Sequence, residues 1–150
     1  MNALRCAAAA ALLVSTFAAG ATGAQARSQF PAEDRFWSYD GDLPACDDSQ
    51  VLGDVSISFN WREWRFTDSE LSIQSFSKVG ETGYRPYGKD FIPRRYCVAT
   101  ALFSDGKERV VRFNLIERGG FLGIGHGLEF CAVGLDREHA YSADCQAAGR

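Results

Sequence analysis

The first 26 residues have the three parts of a secretory signal peptide, which removes them from the fold and places the rest in an oxidising compartment. Arg5 supplies the positive charge, residues 7–19 form an apolar stretch, and the sequence Ala-Gln-Ala at 24–26 fits the small-x-small cleavage rule. The apolar stretch is shorter than the roughly 20 residues that a membrane-spanning helix needs, and no second one follows. We therefore predict a periplasmic or secreted protein with no membrane span, whose mature chain begins at residue 27.

Removal of the leader leaves four cysteines: Cys46, Cys97, Cys131 and Cys145. An even number in an oxidising compartment predicts two disulfides, and three pairings are possible. We prefer Cys46–Cys97 with Cys131–Cys145, because the second bridge closes a short loop that ties the C-terminal tail to the last strand. The nested pairing, Cys46–Cys145 with Cys97–Cys131, remains open. No C-x-x-C pair and no zinc-ligand spacing is present, so neither a metal site nor a cofactor is predicted.

The segment after the leader contains the predicted helix. Residues 27–45 are polar and turn-rich and predict an extended arm, followed by a single domain at 46–150. Asp47 and Asp48 are N-cap candidates, and apolar residues then follow at helical spacing, which predicts a helix over about 47–63. The same segment also supports a strand, because apolar and polar residues alternate from Val55 to Arg62. The helix is preferred because the caps lie where it would begin. We expect the tryptophans, Trp37, Trp61 and Trp64, to pack in the core or to anchor the arm.

The rest of the chain predicts four antiparallel strands. The turn Ser104-Asp105-Gly106-Lys107 is a strong hairpin signal between two β-rich segments. One face of the hairpin carries Cys97, Ala99, Ala101 and Phe103 and then Val111, Phe113 and Leu115, which predicts a core on that side. The predicted strands are 71–79, 95–104, 108–117 and 128–135, with a loop at 80–93 and one helical turn in the tail at 136–150. The fold class is therefore α+β, one N-terminal helix packed on a roughly four-stranded antiparallel sheet and stabilised by disulfides, similar in outline to cystatin-like or NTF2-like rolls.

Several short segments of this domain form a pattern: Ile92-Pro93-Arg94-Arg95-Tyr96-Cys97, Ser104-Asp105-Gly106, Gly127-Leu128-Glu129-Phe130-Cys131, Gly134-Leu135-Asp136-Arg137, Ala140-Tyr141 and Cys145. The pattern resembles a family of small exported alphaproteobacterial proteins and covers most of residues 46–145. The resemblance implies an exported single domain with four cysteines and no assigned activity. The family pattern has a tryptophan where this chain has His126, which counts against a catalytic role for that histidine.

Two irregular segments carry the candidate binding residues. The segment 80–95 combines arginines, which bind anions in a bidentate manner, with tyrosines that can stack. The glycine-rich segment 119–127 lacks the spacing of a phosphate-binding loop and predicts a bent connection that can grip a ligand. Because antiparallel hairpin strands lie side by side, both segments are expected to meet at one edge of the sheet. The candidate residues are Tyr84, Arg85, Tyr87, Arg94, Arg95, Gly123, Gly125 and His126.

Each group of candidates has an alternative interpretation. Arg94 or Arg95 can instead pair with a local carboxylate such as Asp136 and fix the tail. His126 and Glu129 suggest an acid–base pair, although their odd spacing places them on opposite faces of a strand. Neither G-x-S-x-G nor H-E-x-x-H occurs, so no catalytic residue is assigned.

These patterns favour a non-catalytic periplasmic binding or accessory protein that recognises a protein or a small anionic partner in the envelope. One alternative is a small envelope hydrolase that uses His126 and a carboxylate. Another is an inhibitor or immunity protein. Nucleic acid is not an expected partner, because the chain has 16 Lys and Arg against 19 Asp and Glu, a net charge of −3.

Overall fold

The computed structural model describes residues 39–86 and 92–149, and within them one α-helix packs on a four-stranded antiparallel sheet. The elements are α1 (Ser49–Thr67), β1 (Ile73–Arg85), β2 (Arg94–Phe103), β3 (Glu108–Ile116) and β4 (Gly127–Ala132). The sheet order is β1-β2-β3-β4, so each strand pairs with its neighbour in the chain. The predicted α+β arrangement is confirmed. The predicted leader, most of the predicted arm, Trp37 and Tyr87 lie outside the described residues.

Helix α1 begins where the sequence indicates. The Asp48 carboxylate accepts hydrogen bonds from the backbone N–H groups of Gln50, at 2.8 Å, and Val51, at 3.4 Å, as an N-cap residue does. Val51, Val55 and Phe59 follow at four-residue intervals and are buried on one face of the helix. The alternative strand is therefore wrong, and the helix continues to Thr67, beyond the predicted end at 63.

Two strand boundaries differ from the prediction. Strand β1 continues to Arg85, so the predicted loop does not begin at Gly80. Its pairing with β2 shifts register between Ile73 and Ser75, between Ser77 and Gly80, and between Glu81 and Gly83, and such irregularities break the alternation that marks a strand in a sequence. Strand β4 ends at Ala132 rather than at 135, because the chain turns at residues 133–134.

The core lies between α1 and one face of the sheet. The predicted face of the hairpin is buried as expected, and the small side chains of Ala99 and Ala101 face the same core. The rings of Phe59 on α1 and Phe103 on β2 meet edge to face at 5.2 Å between centroids. Within the described residues, no helix is both long and apolar enough to cross a membrane.

The C-terminal tail covers part of the opposite face of the sheet. The predicted disulfides are both present, Cys46–Cys97 with 5.7 Å between Cα atoms and Cys131–Cys145 with 5.6 Å. The second bridge attaches β4 to a 3₁₀ segment, Ala143–Ala148. Beside it, the buried Asn114 side chain donates to the Ala148 carbonyl at 3.1 Å. The tail is therefore fixed to the sheet by one covalent bond and by a buried hydrogen bond.

The hairpin turn contains an ion pair with a measurable signature. Arg109 donates to both carboxylate oxygens of Asp105, at 2.9 and 2.6 Å, and this pairing lowers the pKa of Asp105 from 3.8 to about 2. The pair therefore favours the folded state above the ordinary pKa of aspartate, and its contribution is lost as the pH falls towards 2. NMR titration of the Asp105 carboxyl should show this low pKa, and Arg109→Gln should return it towards 3.8. Arg65→Gln, on α1, is the control and should leave the titration unchanged; a titration of Asp105 near 3.8 in the unmodified protein would contradict the pairing.

Candidate functional site

The two irregular segments lie at the same end of the sheet, where the hairpin geometry places them. The Glu117 N–H donates to the Pro93 carbonyl at 3.1 Å, just beyond the last β2–β3 pair, which joins Arg94 to Ile116. The end of the arm joins them, because the Tyr84 hydroxyl donates to the Gly41 carbonyl. Three segments that are distant in the sequence thus form one surface.

Glu117 holds the arm against the sheet. Its buried carboxylate accepts hydrogen bonds from the backbone N–H groups of Asp40, at 3.0 Å, and Gly41, at 2.8 Å. Burial raises the pKa of Glu117, and a hydrogen bond to the Glu117 side chain lowers the pKa of Asp40. No sequence pattern indicates Glu117, since its burial depends on where the arm packs.

A cleft of about 310 Å³ lies between the arm and the glycine-rich loop. It brings together three of the predicted binding residues, Gly123, Gly125 and His126. Three acidic residues and one arginine also line it, Asp40, Asp42, Glu117 and Arg118. This excess of carboxylates does not favour an anionic ligand.

Arg94 and Arg95 lie on opposite faces of β2 and contact different carboxylates. Arg94 donates to the Asn114 side chain at 3.3 Å and to Glu129 at 3.1 Å. Arg95 bonds the Glu81 carboxylate and the Leu43 carbonyl. Both arginines therefore pair with carboxylates of the same chain, which was the alternative to binding an anionic ligand. The acids are Glu129 and Glu81 rather than Asp136.

Tyr84 and Arg85, the other described candidates of segment 80–95, do not line the cleft either. Asp136, proposed as a partner of an arginine, instead accepts backbone hydrogen bonds from Ala140, at 3.1 Å, and Tyr141, at 2.9 Å. The Tyr84 ring lies under the guanidinium of Arg95, 4.2 Å from it, and Arg85 is exposed at the end of β1. The tyrosine and the two arginines of 94–95 therefore contribute to the packing of the sheet and the arm.

His126 lies near a carboxylate other than the one expected. Its Nε2 atom is 3.9 Å from an Asp54 carboxylate oxygen on α1, which is longer than a hydrogen bond. Glu129 instead accepts hydrogen bonds from Arg94 and Asn114. The histidine and Glu129 therefore do not form an acid–base pair.

The glycine-rich loop exposes three large apolar side chains that sequence analysis did not single out. Phe121, Leu122 and Ile124 are 85%, 81% and 76% exposed. The loop is tightly folded, since a Cβ atom on Gly120 would lie 2.0 Å from the Ile124 carbonyl oxygen, and Gly123 has φ of +77°. Glycines thus allow the backbone to close on itself, and the apolar side chains between them face solvent.

Helix α1 carries a second exposed apolar group. Ile57, Trp61 and Trp64 are more than half exposed, and their spacing places them on one stripe of the helix. The expectation that the two tryptophans pack in the core is therefore wrong. Asp54 lies on the same stripe and approaches His126, so the stripe begins beside the glycine-rich loop.

Within the described ranges, no group of three or more His, Cys, Asp or Glu side chains is placed to hold a metal ion. The four cysteines among the described residues are all in disulfides and supply no thiol nucleophile. Comparisons of the chain with protein-family models, with curated proteins and with solved structures gave no match.

Proposed function

We propose that the mature chain is a non-catalytic binding protein of the cell envelope that recognises a protein partner through its glycine-rich loop. The observation that carries this proposal is the exposure of Phe121, Leu122 and Ile124 on one tightly folded loop. Apolar side chains gain roughly 25 cal/mol for each Å² that a partner covers, and clustered exposed apolar residues are typical of interaction sites. The leader and the two disulfides support an envelope location.

Among partners, a protein is better supported than a small anion. The arginines at 94 and 95 already donate to carboxylates of the same chain, and the cleft beside the loop is lined by more acids than bases. An inhibitor or immunity protein would be one form of this protein-binding function. The hydrolase alternative would have to use Asp54 as the carboxylate beside His126. The His126 Nε2 atom and the Asp54 carboxylate oxygen are 3.9 Å apart, too far for a hydrogen bond.

Replacing the three loop residues together, Phe121→Ser, Leu122→Ser and Ile124→Ser, should abolish partner capture from an envelope extract. The melting temperature should stay within a few degrees, because exposed side chains contribute little to stability. Affinity capture with quantitative mass spectrometry measures the first result, and circular dichroism measures the second.

Two controls make this experiment specific. Val110→Ser replaces an apolar side chain on β3, away from the loop, that is 39% exposed, and it should capture the same proteins as the unmodified chain. His126→Ala should do so too, whereas a hydrolase would lose turnover. Undiminished capture by the triple variant would refute the loop as the binding site.

A further inference from the structure

A second cavity, open to solvent on one side and separate from the cleft at the glycine-rich loop, lies where α1 faces β4 and the C-terminal tail. Its volume is about 420 Å³, within the range of small-molecule sites. Its walls are mainly apolar and aromatic, from Ile57, Trp61 and Phe66 on α1, Phe130 on β4 and Tyr141 in the tail. A cavity of this composition suits a ligand with an apolar body.

One cation, Arg62, lines this cavity and makes no direct ion pair with a carboxylate of the described residues. Its guanidinium lies 4.4 Å from the centre of the Phe130 ring and 5.7 Å from that of Phe59. Within residues 39–86 and 92–149 the Arg62 guanidinium makes neither an ion pair nor a hydrogen bond, although Glu63 and Asp136 act on it electrostatically. Burial lowers the pKa of Arg62. Burial withdraws part of this charge from water, and an anion in the cavity would offset the lost hydration.

The acids nearest to Arg62 are already bound to other groups. Glu63 is held by both terminal nitrogens of Arg137, at 3.1 Å each. The Asp136 carboxylate accepts the N–H groups of Ala140 and Tyr141. These charges still act at short range, so they favour a ligand with one negative charge over one with two.

A second donor faces the same space. The Tyr141 side chain is partly buried and lines the cavity. Burial and the nearby Glu129 raise its pKa, so the phenol stays protonated at neutral pH and keeps a hydrogen to donate. A guanidinium and a phenol that line the same cavity can together bind the two oxygens of one carboxylate.

We propose that this cavity binds an aliphatic monocarboxylate, with the carboxylate on Arg62 and Tyr141 and the chain against Trp61, Phe66 and Ile57. Arginine matches a carboxylate with two parallel hydrogen bonds, and the aromatic walls cover the alkyl chain. The site does not involve the glycine-rich loop, so it stands or falls independently of the protein-binding function.

The test compares decanoate with 1-decanol, which has the same chain and no charge, by calorimetric titration of the oxidised mature protein. We expect decanoate to bind at least tenfold more tightly than decanol. Arg62→Gln should remove this preference and leave decanol affinity unchanged. Arg65→Gln is the matched control, since it removes an arginine one turn away on the same helix, and it should keep the preference.

Two further variants guard against a folding defect. Arg62→Lys keeps the charge without the two-pronged geometry and should give an intermediate preference. The triple serine variant of the glycine-rich loop should bind decanoate as the unmodified protein does. Equal affinity for decanoate and decanol in the unmodified protein, absence of decanoate binding, or an undiminished preference in a folded Arg62→Gln variant would each overturn the proposal.

Discussion

Replacing Arg137 by alanine is expected to lower the free energy of unfolding by about 3 kcal/mol, the lower end of the range for breaking a buried ion pair. Glu63 is 1% exposed on α1, and Arg137 binds both of its carboxylate oxygens at 3.1 Å. Without the arginine, the one other side-chain donor near that carboxylate in the described residues is the Thr67 hydroxyl at 3.2 Å, which lies closer, at 2.7 Å, to the Glu63 carbonyl oxygen. The lower end of the range applies because the Arg137 side chain is itself 45% exposed. Urea unfolding followed by circular dichroism measures the change.

A second substitution distinguishes two causes of the lost stability, the uncompensated charge of Glu63 and the lost packing of the Arg137 side chain. Glu63→Gln together with Arg137→Ala leaves no uncompensated carboxylate, so the double variant should be more stable than Arg137→Ala alone. Arg137→Lys should fall between Arg137→Ala and the unmodified protein. If the double variant and Arg137→Ala unfold at the same urea concentration, the buried charge is not the cause.

Removing the disulfide between Cys46 and Cys97 with two alanines should cost about 4 kcal/mol, because the loop it closes is long and the unfolded chain regains that freedom. The two cysteines are 51 positions apart and both are buried. The bridge between Cys131 and Cys145 spans 14 positions, so its removal should cost about 3 kcal/mol.

Denaturant unfolding of the two double-alanine variants without reductant tests this order. The variants should also be oxidised and free of thiols, which alkylation of the denatured chains can show. If removing Cys131–Cys145 lowers the free energy of unfolding more than removing Cys46–Cys97, the contacts between the tail and the sheet contribute more to stability than the difference in loop length.

The helix and the central hairpin were predictable because their signals are local. Asp48 marks the start of α1, and Asp105-Gly106 marks the turn between β2 and β3. The orientation of α1 was harder to predict, since the helix has two apolar stripes. One contains Val51, Val55 and Phe59 and faces the sheet, and the other is the exposed stripe with Trp61. Spacing alone does not say which stripe the sheet covers.

Only one segment of the predicted binding residues lines the cleft. Gly123, Gly125 and His126 do so, and they are near neighbours in the glycine-rich segment, whereas the candidates from segment 80–95 lie outside it. The partners of Arg94 and Arg95 depend on strand register, which places Glu129 opposite Asn114 and Glu81 opposite Cys97. Arg62 and Glu117 were missed because their environments arise from tertiary packing, which composition and spacing do not encode.

The three register shifts in β1 bear on how readily a second copy of the chain could add to that edge of the sheet. An uninterrupted edge strand offers a row of N–H and C=O groups to which a strand of another copy can add. Along β1 that row is broken between residues 73 and 75, 77 and 80, and 81 and 83. These breaks disfavour the addition of further copies along this edge. The helix and the glycine-rich loop can therefore expose aromatic and aliphatic side chains without β1 also offering a regular edge for fibre growth.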